Sequence, residues 1–104
     1  MSDYGTPKRQ ILVRSESQIT DKVLLGVSKM CGSKYMELGI GLGLDYQTIA
    51  NRISRLEGKA TEHLKAFEVL QEWKSRGSSY EGLARALEDV GLNYVAMKYC
   101  YETS

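Results

Sequence analysis

The sequence carries one histidine, one proline and two cysteines in 104 residues, and its charges nearly cancel at a net +1. His63 has no Cys or carboxylate constellation at metal spacing around it, so neither a zinc site nor a catalytic triad can be assembled on it. Cys31 and Cys100 lack C-x-x-C spacing, and no Asn-x-Ser/Thr sequon occurs. Both points suit a reduced cytoplasmic protein with free, buried thiols. No apolar run approaches signal or transmembrane length, so no membrane insertion is expected. Without the first fourteen residues the balance is 11 basic against 12 acidic side chains, which leaves no basic field to attract nucleic acid. The glycines of Gly39-x-Gly41-x-Gly43 do not make G-x-G-x-x-G and follow no strand pattern, and Gly58-Lys59 lacks the rest of a phosphate loop. Neither an enzyme nor a bound cofactor is expected.

What the chain does have is helical period. Residues 1–14 hold the only proline, Pro7, and read as a flexible leader ending in Ile11-Leu12-Val13; residues 15–104 read as one domain. Ser15-x-x-Gln18 has capping-box spacing, followed by Ile19, Val23, Val27 and Met30 at steps of three and four up to Gly32. Lys34 to Leu42 forms a second helix with Tyr35, Leu38 and Leu42 on one face. Each interior glycine there costs about 1 kcal/mol relative to Ala, so this helix is expected to be short or loose. Asp45 caps a third, with Ile49, Ile53 and Leu56 inward, Asn51, Arg52 and Arg55 outward, and Gly58 as its stop.

The fourth helix, Thr61 to Arg76, is the most apolar in pattern. Leu64, Phe67, Leu70 and Trp73 recur every three residues, and Ala66 and Val69 widen the stripe beyond the roughly 100° of a surface helix. It is expected inside the bundle, with Thr61 as N-cap and Gly77 beyond its end. Ser78-x-x-Glu81 opens a fifth helix with Leu83, Ala84, Leu87 and Val90 inward and Gly91 as the stop; Asn93 opens a sixth. Short connections force mostly antiparallel neighbours, and no segment alternates with period two, so no sheet is expected. The expected core includes Trp73, Leu70, Leu83, Leu87, Val27 and Ile53.

The spacing of these anchors resembles that of death domains, six-helix interaction modules of the death-fold superfamily, over about residues 17–100. Their second helix typically reads Trp-x-x-Leu-Ala-x-x-Leu-Gly-Leu, and Tyr35-x-x-Leu38-Gly39-x-x-Leu42-Gly43-Leu44 keeps every spacing, with Tyr for Trp and Gly for Ala. Ala66-Phe67-x-Val69-Leu70-x-x-Trp73 resembles the fourth-helix pattern, and Tyr80-x-x-Leu83-x-x-Ala86-Leu87-x-x-Val90-Gly91 the fifth. The resemblance implies an all-α, six-helix antiparallel Greek-key bundle without a catalytic centre. It also implies a module that binds other death domains, whether itself, a receptor tail or an adaptor, into oligomers in apoptotic or innate-immune signalling.

Carried onto this chain, the family's asymmetric contacts would place Asp21, Lys22, Glu68 and Glu72 on one side, with Arg52, Arg55 and Lys59 of another copy facing them. Arg76 and Ser78 against Leu92 and Tyr94 would make a second contact. Glu68 with Glu72, and Arg52 with Arg55, set like charges within one helical turn, and segregated patches of opposite sign on a neutral domain favour head-to-tail association. The alternative reading is a helix-turn-helix over Leu38 to Ile53, with Gly43 at the turn. In that register a second apolar anchor should fall at Arg52, while Ile53 is one residue off, and too few cations stand nearby to neutralise phosphates.

Overall fold

The computed structural model describes residues 12–14, 19–56, 58 and 60–102. These form six α-helices: α1 (Asp21–Cys31), α2 (Tyr35–Gly41), α3 (Tyr46–Ser54), α4 (Glu62–Ser75), α5 (Tyr80–Asp89) and α6 (Asn93–Tyr99). A 3₁₀ turn, Gly32–Lys34, joins α1 to α2. The fold is all-α in class, with one small addition that the absence of alternation did not predict. Strand β1 (Leu12–Val13) pairs antiparallel with β2 (Tyr101–Glu102), and the Arg14 amide donates to the Cys100 carbonyl at 2.8 Å. Two-residue strands need only backbone partners, so side-chain alternation carries no signal for them. Residues 12–14, assigned to the leader, therefore lie against the bundle; residues 1–11 are outside the described residues.

Helix starts follow side-chain chemistry closely. The Asp45 carboxylate accepts from the Thr48 amide at 2.8 Å, and the Thr61 hydroxyl accepts from the Leu64 amide at 3.4 Å, each satisfying an orphan first-turn donor as expected. Other boundaries move. Helix α1 is capped by Thr20, whose hydroxyl accepts from the Val23 amide; Ser15 and Gln18 of the expected capping box lie outside the described residues. Ile19 then precedes the cap while Leu24 sits in the first turn, and both are buried, as in a hydrophobic staple. Helix α5 is capped by Ser79, not Ser78, and α6 starts after Leu92 with no side-chain cap. Helix α3 ends at Ser54, short of Gly58.

The core joins Leu24 and Val27 of α1, Leu38 of α2, Ile49 of α3, Val69, Leu70 and Trp73 of α4, Leu83 and Leu87 of α5, and Val95 of α6. Trp73 is 6% exposed. Leu64 is exposed and Phe67 only half-buried, so the buried stripe of α4 runs through Ala66, Val69, Leu70 and Trp73. Ile53, expected in the core, is also half-buried, because α3 turns Ile49 fully inward and leaves its last turn at the rim. Helices remote in sequence pack together, α1 against α4 and α6 and α2 against α4 and α5, alongside the consecutive pairs α3 with α4 and α5 with α6.

Helix α2 is short, as expected, but not loosely packed. A Cβ added at Gly39 would stand 2.7 Å from both Ile49 Cδ1 and Val69 Cγ1. The absent side chain is what lets α2 approach α3 and α4 this closely.

Candidate interaction surface

The charges singled out in the sequence meet within the chain. Ile49 anchors α3 in the core, and Arg52, three residues on, comes to lie over α4. Its Nε donates to Glu68 Oε1 and its Nη1 to Glu72 Oε1, both at 2.7 Å. The second oxygen of Glu72 accepts from Arg76 Nε at 2.8 Å. The two carboxylates, one helical turn apart, are thus neutralised by a guanidinium set between them. The cluster is partly covered, with the side chains of Glu72 and Arg52 19% and 26% exposed and that of Arg76 49%. Glu68, ahead of Glu72, raises the Arg52 pKa, and the Arg76 guanidinium, ahead of Arg52, holds the Glu72 carboxyl below its ordinary value.

This corrects the expected surface. Arg52, Glu68 and Glu72 do not form two separate patches awaiting partners; they close on one another across the α3–α4 seam. Charge sorted by helix concealed this, because a long Arg side chain on α3 reaches the adjacent face of α4. Asp21 is engaged similarly at the α1–α4 seam, accepting from Gln71 Nε2 at 2.8 Å and from Lys74 Nζ at 3.0 Å. Those two partners, Gln71 first, hold its carboxyl below the ordinary range. It nevertheless remains largely open to solvent.

Lys22 and Arg55 are exposed, and among the described residues no carboxylate pairs with either. Lys59 lies outside the described residues. For the second expected contact, Arg76 is tied to Glu72, Ser78 is half-buried and Tyr94 is 58% exposed. Leu92 is buried and cannot serve as a surface contact in this fold. Gly91, at a φ of 85°, reverses the chain, and the Leu92 amide donates to the Leu87 carbonyl at 2.8 Å, which turns the side chain inward.

Two exposed apolar side chains stand outside the expected contacts. Ile40 at the end of α2 and Tyr46 at the start of α3 flank the α2–α3 turn, each at least half exposed. Their signal was present as apolar residues off the inward period, but single exposed apolar residues are common on any surface. For the helix-turn-helix alternative, the important fact is that Arg52, the one arginine between Leu38 and Ile53, is committed to carboxylates.

Among the described residues, no group of three or more His, Cys, Asp and Glu side chains is placed to hold a metal ion, and no helix is long and apolar enough to cross a membrane. Cys31 and Cys100 are free and buried, and burial pushes their thiols up to about 11 and about 12 respectively. No family model matches the chain, and no curated protein and no solved structure matches it either.

Proposed function

We propose that the domain is a protein–protein interaction module of the death-domain type, a six-helix antiparallel Greek-key bundle that joins like domains into signalling assemblies. The observation that carries this reading is where the death-domain-like anchors lie. Leu38, Leu44, Ala66, Val69, Leu70, Trp73, Tyr80, Leu83, Ala86 and Leu87 are buried, and Tyr35, Leu42, Phe67 and Val90 are half-buried against them, although they come from segments far apart in the chain. The pairing of α1 with both α4 and α6, and of α2 with α5, is in keeping with a Greek-key order and differs from a simple up-and-down bundle.

The contact surface follows from what the charged cluster leaves available. Arg55 on α3 supplies an exposed cation, while Asp21, Lys22 and the outer edge of Glu68 supply a mixed rim on α1 and α4. Tyr94, with Arg76 and Ser78, supplies a second rim, where a large exposed aromatic is the kind of residue that anchors interfaces. Apoptotic or innate-immune signalling in the cytoplasm is the setting this assignment implies.

A pull-down of receptor-type and adaptor-type death domains tests the reading. Capture by the intact chain that is lost in Arg55→Glu or Tyr94→Ala is the expected result. Capture of none of them, or equal capture by both variants, would contradict it.

A further inference from the structure

Bordering the contacts above, and sharing Lys22 and Tyr94 with them, α1 and α6 form an edge with an unusual composition. A Cβ added at Gly26 would stand 2.4 Å from Tyr99 Oη, so the phenol ring of α6 reaches across the bare backbone of α1. Lys22 is four residues before Gly26 and Lys29 three after it, which puts one lysine a turn to each side of that crossing. Lys98 closes the third side, its Nζ 5.8 Å from the Tyr99 ring centroid. Leu25, next to Gly26 on α1, is 38% exposed, and Tyr94 is one turn before Lys98 on α6.

The three lysines are exposed, and among the described residues none is paired with a carboxylate. Of the other described cations, Arg55 and Lys65 likewise have no paired carboxylate among the described residues, while Arg52, Lys74, Arg76 and Arg85 pair with carboxylates, Lys34 donates to the Val90 carbonyl, and Arg14, like Lys98, stands over a tyrosine ring. The nearest carboxylate on α1, Asp21, is turned toward α4 by Gln71 and Lys74. The result is a local excess of positive charge around an aromatic and a leucine on a chain of net charge +1.

We propose that this α1–α6 edge is a docking surface for a carboxylate-rich extended peptide segment of a partner protein. Lys22 and Lys29 are seven residues apart on α1, about 10 Å along the axis, which matches two carboxylates three residues apart on an extended segment of polyproline II form, where residues i and i+3 share a face about 9 Å apart. An apolar side chain between them would rest on Leu25 and Tyr99, and Lys98 would neutralise the second carboxylate. Charge complementarity selects the occupant. An anionic membrane suits the surface less well, since one half-covered leucine gives little apolar area to insert.

The test is an amide-shift titration of the ¹⁵N-labelled intact chain with the blocked peptide Gly-Glu-Leu-Gly-Glu-Gly. Saturable shifts are expected in Lys22 to Lys29 and Lys98 to Cys100, absent with the peptide carrying Gln for Glu. Affinity should fall about tenfold or more in the triple variant Lys22→Gln, Lys29→Gln, Lys98→Gln. Unshifted resonances of core residues such as Leu70 and Leu87 check that the variant is folded. The proposal is overturned by an absence of saturable shifts, by shifts elsewhere, or by equal binding of the triple variant. Binding to phosphatidylserine-containing vesicles through the same lysines, without binding to the peptide, would also overturn it. None of these outcomes depends on whether the chain joins other death domains.

Discussion

Arg52 and Glu72, which their charges alone would assign to opposite members of an intermolecular contact, hold each other at 2.7 Å within one chain. Glu72 also binds Arg76, so it is the bridge between two guanidiniums and belongs to the stability of the bundle before it belongs to any partner. Removing one member of a partly covered, charge-assisted pair leaves the others uncompensated.

Glu72→Arg is therefore expected to destabilise the fold, by about 1–3 kcal/mol, because it sets a third guanidinium beside Arg52 and Arg76. Arg55→Glu, on the exposed side of the same seam, should change stability by less than about 0.5 kcal/mol. Urea denaturation of the two variants checks the contrast. Equal stability would mean that the cluster contributes nothing.

The acid side of the stability curve gives a separate check on Glu72. Its folded pKa is depressed below the ordinary 4.5, so its contribution is present above that value and lost as pH falls through the folded one. Glu72→Gln should thus be less stable than the parent at neutral pH, with the gap closing as acidification proceeds below the ordinary carboxylate value and through the folded one. A gap that stays constant from neutral to strongly acid pH would assign the effect to packing.

Two glycines of α2 should respond oppositely. Gly39→Ala forces a methyl group against Ile49 and Val69, and overpacking of about 1–3 kcal/mol outweighs the roughly 1 kcal/mol gained in helix propensity. At Gly41 the added Cβ meets Ala86 at an ordinary 3.7 Å, so Gly41→Ala should be neutral or stabilising by up to about 1 kcal/mol. Thermal denaturation of both variants decides. If Gly39→Ala is the stabilising one, the close approach of α2 to its neighbours is wrong.

The terminal strand pair abuts Cys100, whose carbonyl accepts from the Arg14 amide. Arg14→Pro removes the amide that donates to the Cys100 carbonyl, and should raise the rate at which a thiol reagent modifies Cys100 while leaving Cys31 protected. At high pH the clasp should also weaken. The hydrogen bond to Glu88 is the main cause that raises Tyr101 from 10 to about 12, so its stabilisation is full below pH 10 and lost as pH approaches 12. Unchanged labelling of Cys100 in Arg14→Pro would show that β1 does not cover it.

These outcomes indicate what could be read before the structure. Asp45 and Thr61 were legible as caps because capping is a contact between a residue and an amide three positions on. Ser78 and Ser79 are adjacent and chemically equivalent as caps, so the start of α5 slipped by one. The core of α5 and most of α4 followed from period alone, whereas Ile53 and Leu64 depended on where a helix runs off the edge of its neighbours. Arg52 was placed outward because a helical wheel gives direction and not reach. Gly39 was read as a weakness because the side chains it admits come from α3 and α4. Leu92 was placed on the surface by carrying the family's contacts onto this chain, whereas the fold-back at Gly91 turns its side chain inward.

The central claim, that this bundle joins like domains, is tested most directly by multi-angle light scattering of the purified chain, alone across a concentration series and mixed with isolated receptor-type and adaptor-type death domains. The account predicts a mass above that of a single chain in at least one of these samples, reduced by Arg55→Glu and by added salt. The mass of one chain at every concentration, and no complex in any mixture, would contradict it.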